Sequence, residues 1–494
     1  MKSKEEFVMK KGFKLLSLLM TCLFVFVLAT GCGSSDNKSG SGDKKGETAN
    51  LIWWCVGDQP KDLNVVQAEI NKYLKEKVNA TVEFKFASFA DYSDKMNKVI
   101  ASGEDYDLAF TSSWGNPFVL NARKGAYYKL DDLLNEYGKD LKELIPEELW
   151  QAATVNGNIY AIPTYKDTAL APYYVFAKEY VDKYNIDYKN INTLEKLEPA
   201  LKTIKENEPS MTPLVLTGPE GWHGLFSEFD MIINNDIPVG VQVTDETATV
   251  VNPFTTDTIK SKLNTLHKYY KAGYINKDAP TLTDPPKFRF VYGADGFPYA
   301  DVSWTQNGGY DVVSTLRYQP YFTTGSVQGS MQAISVNSEH PEAAMEVLNL
   351  ANSDSKFRNM LAYGIEGKNY EKTGDNTIKV LNDGWNAAAF SQATFFNGLY
   401  AVDPAPGNMW DDVKKFNGTA KSSPILGFVL DDSKIQTQLA VVKNAYAKYK
   451  AQVTTGVADP NEVVPKMIKD LEDAGINDVI KEAQDQINAW KASK

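Results

Sequence analysis

Residues 51–86 read LIWWCVGDQPKDLNVVQAEINKYLKEKVNATVEFKF, and this stretch decides the fold class. Leu51 to Val56 is an apolar run of strand length stopped by Gly57 and Asp58, the pattern of a buried strand. Leu63, Val66, Ile70, Leu74 and Val78 then recur at helical spacing. Val82, Phe84 and Phe86 alternate with Glu83 and Lys85, the period of a half-buried strand. A short helix around Met96, Val99 and Ile100 and a strand YDLAFT (Tyr106 to Thr111) continue the series. Strands alternating with helices imply a mostly parallel sheet with helices on both faces. Ligands of such sheets bind in the crevice beyond the carboxyl ends of the strands, so function is to be sought just after each strand.

Beyond Pro163 the alternation restarts with YYVFAKEYVDKY (Tyr173 to Tyr184), a helix near Leu194 to Ile204 and a strand PLVLTG (Pro213 to Gly218). Ile259, Leu263, Leu266 and Tyr270 mark a further helix, FPYADVSW (Phe297 to Trp304) a strand, and GSMQAISV (Gly329 to Val336) another. Pro341 to Ala351 reads as a helix with proline near its first turn. The C-terminal third is mainly helical, with Ile435, Leu439, Val442 and Tyr446, then Ile476, Val479, Ile480, Ala483, Ile487 and Trp490. At 494 residues the chain is about three times a single-domain length. Two α/β lobes with chain crossovers fit this layout better than one large sheet.

An apolar fraction of 43% and a charged fraction of 23% are those of a soluble globular protein. The net charge of −11 and only four arginines, Arg123, Arg289, Arg317 and Arg358, argue against nucleic acid, which needs clustered basic residues. At the N-terminus Lys10, Lys11 and Lys14 precede an uncharged apolar stretch, Leu15 to Leu28, shorter than the roughly 20 residues of a spanning helix. It reads as a signal-peptide core over residues 1–31. The small pair Thr30-Gly31 before Cys32 is the arrangement a bacterial lipoprotein signal peptidase reads, with Ala29 where Leu is commoner. On this reading Cys32 becomes the first residue and carries the acyl chains that anchor it. The alternative is an ordinary cleaved signal with a chance cysteine. Residues 32–49 lack large apolar side chains and read as a disordered tether. Five Lys and two Glu leave with residues 1–31, taking the net charge from −11 to −14, so lipid and not charge would hold the protein to a membrane. Cys55, inside an apolar run, reads as a buried inert thiol.

Catalytic signatures are scarce. His223, His267 and His340 are too scattered for a local metal site, and no H-E-x-x-H or G-x-S-x-G occurs. GIEGK (Gly364 to Lys368) lacks the spacing and hydroxyl of a phosphate-cradling loop. The positive signal is aromatic. Trp114 follows LAFTSS, Tyr165 follows YAIPT, Trp222 follows LVLTGPEG and Trp304 ends YADVSW. Asp58 and Gln59, Lys166 and Asp167, Glu220 and Asp301 stand beside such positions. A sugar ring offers apolar C–H faces to flat aromatics and a polar equator to fixed donors and acceptors. Trp53, Trp54 and Trp490, inside apolar runs, read instead as core.

With those residues in place, the chain resembles the extracellular solute-binding lipoproteins of ABC importers, the carbohydrate-binding, maltose-binding-protein-like group. The resemblance rests on the opening LIWWCVGDQPKDLNVVQAEINKYL, the crossover YAIPTYKDTA, the return GSMQAISVNSEHPEAAMEVLNLANSD and the motif before Cys32. LAYGIEGKNYE, NMWDDVKKFN and SPILGFVLDDSKIQTQLA are similar to a Gram-positive lipoprotein subfamily with its own C-terminal domain type. It implies an α/β, bilobal type II periplasmic-binding-protein fold with two lobes joined by a hinge: residues 50–165 plus 325–362 as lobe 1, and residues 166–324 plus 363–494 as lobe 2 with a C-terminal helical region.

Carried over by position, the resemblance makes Asp58 and Gln59 hydroxyl-binding residues after the first strand, and Trp114 the stacking aromatic of the first lobe. Tyr165 and Lys166 fall at the crossover, Glu220 and Trp222 after a second-lobe strand, and Trp304, near Asp301, on the second-lobe stacking tryptophan. Phe428 or Trp385 would supply a third platform. Gln59 departs from the charged residue of the maltose-type proteins. The implied function is capture of an oligosaccharide by a monomer through hinge closure, without cofactor or metal, and delivery to ABC permease subunits from the outer face of the cell membrane, with no enzymatic activity. Two alternatives stand beside it: a peptide or other non-sugar solute bound by the same fold, and a secreted carbohydrate-active enzyme, which needs only two opposed carboxylates. Arg289 and Arg317 offer partners for a uronic-acid carboxylate, or structural roles.

Overall fold

The computed structural model describes residues 46–169 and 171–493. The signal segment, the acylation expected at Cys32 and the tether up to residue 45 lie outside the described residues. Strand β1 (Ala49–Val56) runs through the apolar opening and starts within the last tether residues. Helix α1 (Leu63–Val78) buries Val66, Ile70 and Leu74 and stops at Asn79, whose φ of 49° lies in the left-handed region that asparagine tolerates. β2 (Ala80–Ala87), α2 (Tyr92–Ser102), the wholly buried β3 (Leu108–Thr111) and the short β4 (Ile162–Pro163) follow. The chain then builds β5 (Pro172–Ala177), β6 (Phe229–Met231), α3 (Asp257–Lys271), β7 (Val291–Asp295), α4 (Ala300–Gly308) and β8 (Val312–Leu316). It returns through α5 (Thr324–Val327), β9 (Met331–Ile334) and α6 (Pro341–Ser353), and ends in α7 (Gln436–Thr454), α8 (Pro460–Asp473) and α9 (Ile476–Ala492).

The first sheet has the order β2-β1-β3-β9-β4. β1 is parallel to both neighbours, with Trp53 opposite Phe84 and Leu108, whereas β9 enters antiparallel, Ala333 opposite Ala109. The sheet is therefore parallel where the βαβαβ run predicts it and antiparallel where the chain comes back. The second sheet, β7-β5-β8, is antiparallel about β5. Two expected strands are absent. At Pro213 to Gly218 only Leu214 pairs, in isolated bridges to Ile275 and Val291. FPYADVSW becomes the start of α4, because Asp301 suits a helix first turn and Gly309, at φ 72°, closes the helix eight residues on.

Each sheet has its own core. Leu51, Trp53, Val66, Leu108, Ile334 and Leu348 centre the first, and Phe176, Leu201, Val241, Phe254, Leu263 and Phe290 the second. Each such side chain contributes roughly 1.5–3 kcal/mol, and these cores hold the described body without a disulfide. Tyr446, Met467, Val479 and Ile487 place α7 to α9 in the second core, yet Trp385, Ala387 and Ala393 lie in the first. The assignment of all of 363–494 to the second lobe is corrected there: Trp385 meets Phe84 edge-on at 6.4 Å and donates its indole N–H to the Leu361 carbonyl at 2.9 Å. Cys55 is buried, and burial pushes its thiol far up, as expected of an inert core cysteine.

Three segments of the chain pass between the cores: from Ala169 to Tyr174, from Val291 to Phe322, and residues 393–428, where Ala393 and Leu426 pack in the first core and Ile425 and Phe428 in the second. The crossings are bonded to one another. Asn417 donates to the Lys166 carbonyl at 2.5 Å and accepts from the Ala169 N–H at 3.4 Å, while residues 321–322 pair in parallel with 421–422.

Candidate functional site

The carboxyl ends of β1, β2 and β3 bring three loops to one side of the first sheet. After β1, Gly57 turns the chain at φ 123°, where a Cβ would stand 3.6 Å from Ala388 and 3.9 Å from Phe89, and Asp58 and Gln59 are exposed. After β2 comes Phe89, 54% exposed, and after β3 Trp114, 48% exposed. Trp114 is held in place: buried Ser112 accepts the backbone N–H of Gly115 at 2.7 Å, and the indole N–H donates to the Gly329 carbonyl at 2.8 Å. Phe89 stacks on Trp114 at 6.2 Å and on Phe390 at the same separation, the latter pair inclined by only 13°. The Phe390 loop is fixed from below, where the wholly buried Arg358 donates to the carbonyls of Ala389 (2.8 Å) and Thr394 (2.6 Å), and Ser330 donates to that of Phe390 (3.0 Å). Phe89 and Trp114 keep much of their surface in water at fixed positions, which suits apolar ligand faces better than it suits an unliganded surface.

Beside this platform lies a cavity of about 540 Å³, within the range of small-ligand sites. Gly325 and Ser326 of α5 form one wall, the loop carrying Glu220 and His223 with Asp230 of β6 another, and Tyr446, Lys450 and Thr454 of α7 a third. Three residues beyond Ser326, Gly329 receives the Trp114 indole. At another edge Asp295 lines the cavity and the next residue, Gly296, supports Trp304: a Cβ there would come within 2.6 Å of the indole. Trp304 is half-buried on α4 and meets Tyr173 edge-on at 5.8 Å, with Asp301 three residues earlier in the helix's first turn. Trp114 and Trp304 do not line the cavity themselves; Gly329 and Gly296, which they contact, lie close in the chain to its walls.

The cavity is acidic. Glu220 is exposed and Asp295 sits 3.6 Å from His223 Nε2. Burial pushes the Asp230 carboxyl up to about 6, only partly offset by the Ser423 hydroxyl. Lys450 is the lining lysine, and its ammonium is bonded to Asp236 at 2.8 Å. No group of three or more His, Cys, Asp or Glu able to hold a metal occurs among the described residues.

Several expected contacts are instead structural. Trp222 is 3% exposed between Tyr174 and Arg317, and Phe428 is buried against Trp490. Tyr165 is buried edge-on to Phe396 at 4.7 Å, and Trp385 fills the first core. Tyr165, Phe428 and Trp385 lie in the cores, whereas Trp222, though 3% exposed, is among the residues lining the cavity. Lys166 is half-buried and paired with Asp167 at 2.5 Å. Arg317 donates to the carbonyls of His223 and Gly224, a structural role, and Arg289 lies over Tyr292 at 4.0 Å; neither lines the cavity. Phe89, Phe390, Asp230 and Tyr446 were not singled out in the sequence. Phe89 carried the same strand-end signal as Trp114; the others carried none.

A family model described as bacterial extracellular solute-binding protein matches residues 57–356. The chain belongs to this family. A second model, a domain of unknown function designated DUF3502, matches residues 424–492 of the solute-binding protein. A Streptococcus pneumoniae serotype 4 protein named carbohydrate ABC transporter substrate-binding protein is 30% identical, over 95% of this chain and 97% of its own. The crystal structure of an N-glycan transport solute-binding protein from Streptococcus pneumoniae superposes with a TM-score of 0.81 at 29% identity, covering 90% of this chain and all of that one. The same protein in complex with Man5GlcNAc gives a TM-score of 0.65 at 30% identity, over 90% and 99% of the two chains. This solute-binding protein accordingly has the bilobal α/β fold of its relatives.

Proposed function

We propose that the protein captures an oligosaccharide for an ABC importer, and that the ligand is a neutral glycan of the mannose and N-acetylglucosamine class. The observation that carries this is the exposed Trp114, stacked with Phe89 and fixed at the end of β3 beside the cavity. Full-length likeness to an N-glycan-binding relative supports the ligand class. The acidic lining favours neutral over anionic sugars, since a uronate would meet carboxylates there. The two lobes close over a ligand that touches both, Trp114 from one and Trp304 from the other, with Asp58, Gln59, Glu220 and Asp301 as hydroxyl partners. In this reading Cys32 is acylated and tethers a monomer to the outer face of the cell membrane, where the closed form docks on the permease and no glycan is cleaved.

Isothermal titration of the mature chain against Man5GlcNAc, oligogalacturonate and a peptide mixture tests the proposal. Binding to the neutral glycan alone, with the glycan recovered intact, is expected. Trp114→Ala should weaken it by roughly 1–3 kcal/mol, about five- to 150-fold. Binding to peptide alone, or glycan cleavage, overturns the reading. Acylation is checked separately by palmitate labelling, which Cys32→Ser should abolish.

A further inference from the structure

The C-terminal domain of unknown function supplies α7, and α7 does more than fill the second core. Its last turn pins the loop carrying Glu220 and His223. Trp222 donates its backbone N–H to the Thr454 carbonyl at 2.9 Å, and Gly221, at φ 65°, lies so close that a Cβ would stand 2.1 Å from the Thr454 hydroxyl oxygen. Its Tyr446 lines the cavity with a buried hydroxyl that has no hydrogen-bond partner. From another wall of the same cavity Asp230 presents the same anomaly, a buried carboxylate oxygen, Oδ2, without a partner. Nδ1 of His223, on the same lining, is a third such atom. Buried polar atoms are nearly always bonded, and three orphans on residues lining one cavity ask for a ligand that carries hydroxyls.

We propose that α7 of this domain completes the ligand site, the Tyr446 hydroxyl and the Asp230 carboxyl binding the hydroxyls of one neutral sugar ring seated in the cavity. This rests on the oligosaccharide reading above. A carboxylate oxygen accepts from a sugar O–H or an acetamido N–H, and a phenol donates to a ring or hydroxyl oxygen, so each of these two gains the bond it lacks. An anionic ring is excluded because Glu220 and Asp295 share the lining and Lys450 is held by Asp236. Burial raises the carboxyl of Asp230, so keeping it costs stability in the free protein, a pattern typical of functional sites.

The test is titration of Man5GlcNAc into the mature chain and into Asp230→Asn and Tyr446→Phe, with the melting temperature of each unliganded variant. Each variant should lose about five- to fiftyfold in affinity. Asp230→Asn should melt no lower than wild type at pH 7. Wild-type affinity in both variants overturns the subsite while leaving the oligosaccharide reading intact. Lower melting temperatures that alone account for the lost affinity also overturn it, since the residues are then only structural. Absence of any glycan binding by the wild type overturns the oligosaccharide reading itself and the subsite with it.

Discussion

At the residue scale Asp230 is the most informative group. It is 8% exposed, and burial lifts its carboxyl from the ordinary range to about 6. Between the unfolded value near 4 and this folded value, the native state binds more protons than the unfolded one, so its contribution to stability falls as pH rises through that window. The contribution is fully lost above about pH 6. Asp230→Asn removes the titration, and its stability relative to wild type should therefore rise from pH 4 to pH 7, by roughly 1–3 kcal/mol in total. Thermal melts of both proteins across that range check the sign. A wild-type advantage that grows toward pH 7 would mean that a partner charge, and not burial, governs the carboxyl.

At the scale of elements, the aromatic platform depends on a side chain that touches no ligand. Arg358, fully buried on the helix Ser355–Tyr363, holds the loop of Phe390 through two carbonyls. Arg358→Met keeps the volume and loses both bonds, and should cost about 2–4 kcal/mol of stability. Because the Phe390 ring then loses its fixed position under Phe89, glycan affinity should fall as well; unchanged affinity would show that Phe390 is not part of the platform. Periodicity made β1, α1, β2 and α2 legible, because each is long enough for one pattern to dominate, while the four wholly buried residues of β3 were legible as an apolar run. FPYADVSW failed since eight residues with aromatic and aliphatic members fit either period, and the deciding feature, Trp304 seated on Gly296, is tertiary. The exposure of Trp114 was legible from its strand-end position, and it stays 48% exposed even with Phe89 and Phe110 packed against it. The burial of Trp222 at the cavity lining was not legible, because Tyr174 and Arg317 reach its ring from distant parts of the chain. Asp230 and Tyr446 acquire their character only when β6 and α7 meet at the cavity.

At the scale of the whole molecule, the C-terminal helices cannot be spared. Phe428, Tyr446, Met467, Val479 and Ile487 belong to the second core, so truncation after residue 423 should leave that core open and the protein insoluble or partly unfolded, read as lost near-ultraviolet dichroism. The two cores are joined by three adjacent crossings bonded to one another, the connection about which two bodies can rotate while the sheets stay intact. A glycan that stacks on Trp114 and reaches Asp230 and Trp304 binds the closed arrangement better than the open one, and it can shift the population only by that difference in affinity. Solution scattering of the mature chain should therefore show a smaller radius of gyration at saturating Man5GlcNAc. Trp114→Ala should need more glycan to reach the same compact end point, because it weakens contact without altering the crossings. A radius that stays constant while calorimetry records binding would show that the ligand enters without closure, and the three crossings would then be a rigid joint and not a hinge.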